Sequence, residues 1–250
     1  MKNCVLLLFV LFFISCASGI YGSGNVLKSS KWDCIIENIT LIETVSEMQI
    51  GEEVKICNKH GLAISLENGY IIALTHATKE DEDPVFVETS KNVLIEMKVK
   101  MLNEKHYIGE HQIILLGRDN DISLFKTHLP FEGLYFADVS ETIVGREVIT
   151  RGWSLGEGPN VKRGIISATD LVKGNYNSQS GYMPLSFVTT IPTNPGDSGA
   201  PVLIYNNRNA RYEIIGITWA VIPESKGISF AFTVDAIQDA INKILEKGVE

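Results

Sequence analysis

From Trp32 to Thr233 the sequence is written in short runs of apolar and β-branched residues, broken by Gly, Asn, Asp and Pro. This punctuation constrains the fold more than any other feature, because runs so short have the length of strands, not of packed helices. Leu62–Leu66 and Tyr70–Thr75 flank Glu67-Asn68-Gly69, and Asn-Gly is the strongest short hairpin signal. In 93–101, Val93, Ile95, Met97, Val99 and Met101 fall on one side and Glu96, Lys98 and Lys100 on the other, the period of a half-buried strand. Further strands are expected at 111–117, 121–126, 143–151, 161–168, 183–191, 200–204, 212–219 and 228–233. One helix closes the chain: Val234, Ile237, Ile241, Ile244 and Leu245 share a face, with Thr233 or Asp235 able to cap it. The class expected is therefore all-β, a barrel or sandwich with a C-terminal α-helix.

The amino terminus has a different character. Lys2 precedes an uncharged apolar run, Val5 through Ile14, too short to span a bilayer and suited to the core of a secretory signal peptide. Residues 1–15 are read as that signal and 16–31, rich in Gly and Ser, as a flexible tether. Phe13-Ile14-Ser15-Cys16 resembles a bacterial lipobox, which makes Cys16 a lipidation site and a means of membrane attachment; cleavage after Ala17 is the alternative. Either way the mature chain is expected to be exported, to the bacterial cell envelope or beyond it. Cys34 and Cys57 then remain as a disulfide pair or as two free thiols. With 22 Lys+Arg against 30 Asp+Glu, the net charge of −8 gives no electrostatic reason to bind nucleic acid.

The chemistry concentrates in Thr193-Asn194-Pro195-Gly196-Asp197-Ser198-Gly199-Ala200-Pro201. A serine between glycines on a tight turn presents its hydroxyl and two backbone N–H groups to one point, as a nucleophile with an oxyanion hole requires. His76, after the strand 70–75, is a candidate base, and Asp121, opening the strand 121–126, a candidate orienting carboxylate. The order His, Asp, Ser and the presence of Ala200 two residues after Ser198 exclude the G-x-S-x-G elbow of α/β-hydrolases. Asp119 is the competitor to Asp121. His106 and His111 with Glu110 flank a strand without H-E-x-x-H spacing, so no metal or other cofactor is expected.

Three separated segments, Thr75-His76-Ala77, Asp121-Ile122-Ser123-Leu124-Phe125-Lys126 and Gly196-Asp197-Ser198-Gly199-Ala200-Pro201, resemble the chymotrypsin-like serine proteases. Arg163–Thr169 and Ile228–Asp235 resemble stretches of the bacterial HtrA (Deg) protease domain, with some likeness to the glutamyl endopeptidases. The resemblance implies two packed six-stranded antiparallel β-barrels with the site in the cleft between them. It places the protease domain at 32–247, with a first barrel at about 32–138, a second at about 139–233 and the closing helix at 234–247. It implies a triad of His76, Asp121 and Ser198, an oxyanion hole from the N–H groups of Gly196 and Ser198, protein or peptide substrates, and a homo-oligomer as one assembly state.

The same resemblance assigns substrate contacts to Pro192 and Thr193 beside the pocket for the residue preceding the scissile bond, and to Thr218, Trp219 and Ala220 along the substrate backbone. Pro192 stands where an Asp would select Lys or Arg, and Thr218 where glutamyl endopeptidases carry a histidine, so small or aliphatic side chains are expected in that pocket. Asp197 departs from the Asn usual in the HtrA proteases. Lacking a freed amino terminus to pair with, it is expected to be exposed. The sequence stops after the closing helix, where HtrA proteins usually continue into a PDZ domain, so a stand-alone protease is expected. The rival reading is a non-catalytic binding or adhesin-like protein on the same scaffold.

Overall fold

The computed structural model describes residues 35, 37–50, 52–80, 85–88, 94–156, 158–169, 185–221 and 227–248. The expected signal peptide and tether, Cys16, Cys34 and the loop 173–181 lie outside them. Cys57 is a half-buried free thiol.

The first half of the chain builds β1 (Ile39–Ile50), β2 (Glu53–Ser65), β3 (Tyr70–Leu74), a single helical turn α1 (Thr75–Thr78), β4 (Val85–Glu88), β5 (Leu94–Met97), β6 (Val99–Ile108), β7 (His111–Asp119) and β8 (Ile122–Lys126). Strands β1-β2-β3-β8-β7-β6 close into a barrel of antiparallel neighbours, and β4 pairs with β5 in a separate ribbon. The second half builds β9 (Tyr135–Phe136), β10 (Glu147–Gly152), β11 (Asn160–Ala168), β12 (Ser186–Thr189), β13 (Pro201–Asn206), β14 (Arg211–Val221), β15 (Ser229–Thr233) and helix α2 (Val234–Lys247). Its order is β13-β10-β11-β12-β15-β14, and the pairing of β13 with β14 closes a second six-stranded ring. Strand β9, between the rings in sequence, lies parallel to β14 as an added strand. The architecture is that of a chymotrypsin-like fold.

Three apolar clusters explain why the central strands read as continuous runs. The interior of the first barrel holds Ile42, Ala63, Ile71, Ala73, Ile113 and Phe125. The interior of the second holds Val148, Ile166, Phe187, Val202, Ile204 and Ile215. Between them, Leu62, Ile64, Ile72, Leu74 and Leu124 of the first barrel meet Leu203, Ile214, Ile217 and Phe232 of the second. Strands β3, β8 and β14 thus bury both faces, which removes the apolar–polar alternation expected of a half-solvated sheet. Helix α2 adds Ile237, Ala240 and Ile244 to the central cluster. Its start is capped by Thr233, whose Oγ1 accepts from Ala236 N–H at 3.3 Å. Gly117 leaves the space the helix needs, since a Cβ there would lie 2.8 Å from Ile244 Cγ2.

Two expectations about strands change. The run 93–101 is not one strand but breaks at Lys98 into β5 and β6, because the first pairs with β4 and the second with β1. The side alternation nonetheless holds where it is described: Glu96, Lys98 and Lys100 are exposed, Met97, Val99 and Met101 half-buried. Strand β1 is long and was not expected. Its inward face includes Thr44 and Ser46 beside Ile42 and Met48, so polar residues in buried positions mask the period. Thr44 Oγ1 lies 3.0 Å from Nδ1 of the buried His106.

Candidate active site

His76 is placed by α1 at the end of β3. This turn closes against β2 because residue 61 is glycine: a Cβ there would lie 2.8 Å from Ala77 O. Thr78 Oγ1 donates to Leu74 O at 2.9 Å and completes the turn. Asp121 stands opposite, in the two-residue connection between β7 and β8. Asn120 and Asp121 both have positive φ, 45° and 64°, and Asp119 pairs with Ile122 across them, so the connection has the twist-matched hairpin geometry that Asn and Asp tolerate best. Asp121 is thus the last turn residue rather than the first of the strand. Its backbone carbonyl accepts from Thr75 N–H at 2.7 Å. Its Oδ1 accepts from His76 N–H at 2.9 Å, and its Oδ2 lies 2.6 Å from His76 Nδ1. Three bonds from one residue therefore set both the helical turn and the imidazole, and the ring's Nε2 is left for other work. Asp119, on β7, instead accepts from Lys247 at 3.3 Å.

Ser198 sits on the loop before β13. Within Gly196–Ala200 three N–H groups have backbone acceptors: Asp197 donates to Asn194 O (3.0 Å), Gly199 to Thr218 O (2.8 Å) and Ala200 to Asp197 O (3.0 Å). Among the described residues the N–H groups of Gly196 and Ser198 have no acceptor. The peptide before Gly196 is oriented from behind, because Pro195 O accepts from Leu155 N–H at 2.7 Å. In a planar trans peptide the N–H points away from the carbonyl, so Gly196 N–H faces away from Leu155. Gly196 has φ 95°, and a Cβ on it would lie 2.5 Å from Trp153 O. Gly199 (φ 91°) lets the loop reach the first barrel, where an added Cβ would lie 3.0 Å from Leu62 O. The histidine turn and the serine loop thus rest on consecutive residues of β2, Gly61 and Leu62. Among the described residues no hydrogen bond joins Ser198 Oγ to His76 Nε2, a contact often loose without substrate.

Asp197 is not exposed, contrary to the sequence expectation; it is fully buried. Its carboxylate pairs with Lys162 Nζ from β11. It also accepts from Ser154 Oγ, at 3.0 Å on Oδ1 and 2.8 Å on Oδ2, and from Asn194 N–H at 2.7 Å. Lys162 also contacts Ser154 Oγ. The carboxylate fits because residue 152 is glycine: a Cβ there would lie 2.1 Å from Asp197 Oδ1. Sequence reasoning missed Gly152, Ser154 and Lys162. The signal was Asp197 itself, since a buried carboxylate needs a cation, but the spacing of the sequence does not say which one.

Of the residues assigned to substrate contact, Pro192 is exposed and Thr193 half-buried. Thr218 is buried; its N–H donates to Ala200 O at 2.9 Å and its carbonyl accepts from Gly199. The hydroxyls of Thr193 and Thr218 are buried without a partner among the described residues. Trp219 stacks on Phe232 at 5.4 Å and donates to Ser186 Oγ at 3.0 Å. Strand β13 pairs with β14 only as far as Ile217, whereas β15 continues to Val221. One edge of Trp219–Val221 is therefore without a strand partner among the described residues.

Elsewhere in the first barrel, Glu104 lies 2.6 Å from Arg118 and 3.5 Å from His106. Burial works to raise its carboxyl, but the hydrogen bonds and charges of His106 and Arg118 outweigh it and hold the group below its ordinary value of 4.5. His106 serves this cluster and stacks edge-on against Phe125, while His111 is exposed.

Residues 61–217 match the family described as trypsin-like peptidase domain. A probable periplasmic serine endoprotease DegP-like from Pseudomonas fluorescens is 29% identical over 75% of this chain and 35% of its own length. Its namesake from Hahella chejuensis is 31% identical over 54% of this chain and 28% of its own length. The chain therefore spans about a quarter to a third of the length of the curated relatives it matches. Among solved structures, the HtrA-type protease AlgW with tripeptide has a TM-score of 0.59 at 22% identity, over 88% of this chain and 65% of that one. The serine endoprotease from Yersinia pestis has a TM-score of 0.54 at 18% identity, over 89% and 69%.

Proposed function

The chain belongs to the trypsin-like peptidase domain family, and we propose that it is an exported serine endopeptidase working through Ser198, His76 and Asp121. The observation that carries this reading is the Asp121 clamp on His76, with Oδ2 at 2.6 Å from Nδ1, which leaves Nε2 as the ring's available base. His76 takes the proton of Ser198 as its hydroxyl attacks the scissile carbonyl, then returns it to the leaving amine. Asp121 holds the tautomer and stabilises the imidazolium. The N–H groups of Gly196 and Ser198, without an acceptor among the described residues, receive the oxyanion; one such donor is worth ~3 kcal/mol in the transition state.

The open edge of Trp219–Val221 suits an extended peptide that adds itself as a strand. Pro192, Thr193 and Thr218 carry no charge with which to select a charged side chain, so we expect small or aliphatic residues before the scissile bond. The periplasmic naming of the two DegP-like relatives agrees with export by the amino-terminal signal. Attachment through lipidated Cys16 belongs to the same proposal.

A fluorophosphonate probe tests the reading. The protein should be labelled, and Ser198→Ala should abolish labelling and peptide hydrolysis together. Absence of labelling under all conditions would favour the binding-protein alternative. A cleavage profile dominated by Arg, Lys or Glu before the scissile bond would overturn the specificity.

A further inference from the structure

Asp197 immediately precedes Ser198, is fully buried, and carries a charge that the interior does not tolerate alone. The partner it finds is Lys162 Nζ, on the neighbouring hairpin β10–β11. The same hairpin supplies Ser154 Oγ to both carboxylate oxygens and leaves room for them at Gly152. One residue after Ser154, Leu155 N–H holds Pro195 O at 2.7 Å and so aims Gly196 N–H. The hairpin therefore grips the serine loop on both sides, at Pro195 and at Asp197, and Lys162 touches the Ser154 and Asp197 pair that lies between.

We infer that Lys162 is a positioning residue: it supplies, from inside the second barrel, the cation that holds the oxyanion-binding turn in working form. No new chain terminus is needed to neutralise Asp197, so assembly of the turn is complete when the domain has folded. This rests on the endopeptidase reading above. Without Lys162 the carboxylate faces an uncompensated interior and turns toward solvent. That movement drags the Asp197–Ser198 and Pro195–Gly196 peptides from the directions on which oxyanion binding depends. Substrate contacts along Trp219–Val221 lie on another strand and stay in place. The expected signature is a defect in the transition state with little change in ground-state binding.

The test compares full-length wild type, Lys162→Met and Lys162→Arg, with active sites counted by fluorophosphonate titration. Lys162→Met should lower kcat per titrated site by about a hundredfold, the order expected for loss of one oxyanion donor. KM should change by less than about twofold, as expected when only transition-state interactions are lost. Affinity for a peptidyl boronic acid, which presents a tetrahedral anion, should fall with kcat. Lys162→Arg should recover most of the loss. If Lys162→Met does not fold, the double variant K162M/D197N, which leaves no buried charge unpaired, should fold and regain turnover; a folded but inactive double variant overturns the inference. So does a Lys162→Met enzyme with unchanged kcat per site, or one whose loss appears in KM alone. A wild type that neither labels nor cleaves overturns the endopeptidase reading and this inference with it.

Discussion

The two barrels hold their shares of the site in opposite ways. The first offers His76 from a one-turn helix whose partner carboxylate, Asp121, remains 28% exposed, with the imidazole 45% exposed. The second offers Ser198 from a loop whose partner carboxylate, Asp197, is 1% exposed beside Lys162 at 12%. Both carboxylates are held in hydrogen bonds and face a positive or imidazole partner, yet one is reached by solvent and the other is not. The difference matches the tasks proposed for them. The carboxylate beside a base answers a ring charge that appears only while the proton is in transfer. An oxyanion turn works by being fixed beforehand, and a desolvated, fully hydrogen-bonded carboxylate fixes it most strongly.

Substitutions can break the comparison one barrel at a time. The largest effect is expected from Asp121→Asn, which keeps the shape but favours the wrong imidazole tautomer; kcat for peptide hydrolysis should fall by about 10⁴-fold, with the fold unchanged by circular dichroism. A fall of less than tenfold would mean that His76 does not depend on its exposed partner. Next is Gly152→Ala, whose Cβ would sit 2.1 Å from Asp197 Oδ1. Overpacking should cost about 1–3 kcal/mol in denaturant unfolding and lower kcat more than KM. Gly61→Ala, the counterpart in the first barrel, meets Ala77 O at 2.8 Å and should cost less, since α1 has solvent to move into.

The smallest effect should be on acid stability. Glu104 is held below its ordinary value of 4.5 in the folded barrel. A carboxyl so depressed contributes stability that is full above its unfolded value and is lost as pH falls through the folded one. Glu104→Gln should therefore cost on the order of 1 kcal/mol at neutral pH and flatten the decline of the melting temperature below about pH 4.5. An unchanged acid limb would show that the Glu104–His106–Arg118 cluster is electrostatically idle.

Particular residues show why some of the molecule was legible and some was not. The Asn68-Gly69 turn and the helix capped by Thr233 were readable because they are local, set by positive φ and by a cap three residues from its donor. The histidine, aspartate and serine segments were singled out by residue type and order. Strand β1 was not readable, because Thr44 and Ser46 face inward. Nor was the break at Lys98, since it reflects which neighbour each half pairs with. The exposed Asp197 expected from the sequence was mistaken for the same reason: its partner is 35 residues away.

By itself, then, the sequence determined the strand-rich class, the Asn68-Gly69 turn, the closing helix and the residue types on which the proposed chemistry rests, because each is a property of neighbours along the chain. Only the tertiary structure decided that β13 meets β14 to close the second ring, that Gly61 and Leu62 seat the two halves of the site side by side, and that Lys162 meets Asp197. Those contacts join residues far apart in sequence. They are selected by the burial of a shared apolar core and by the high cost of leaving a charge inside it unpaired.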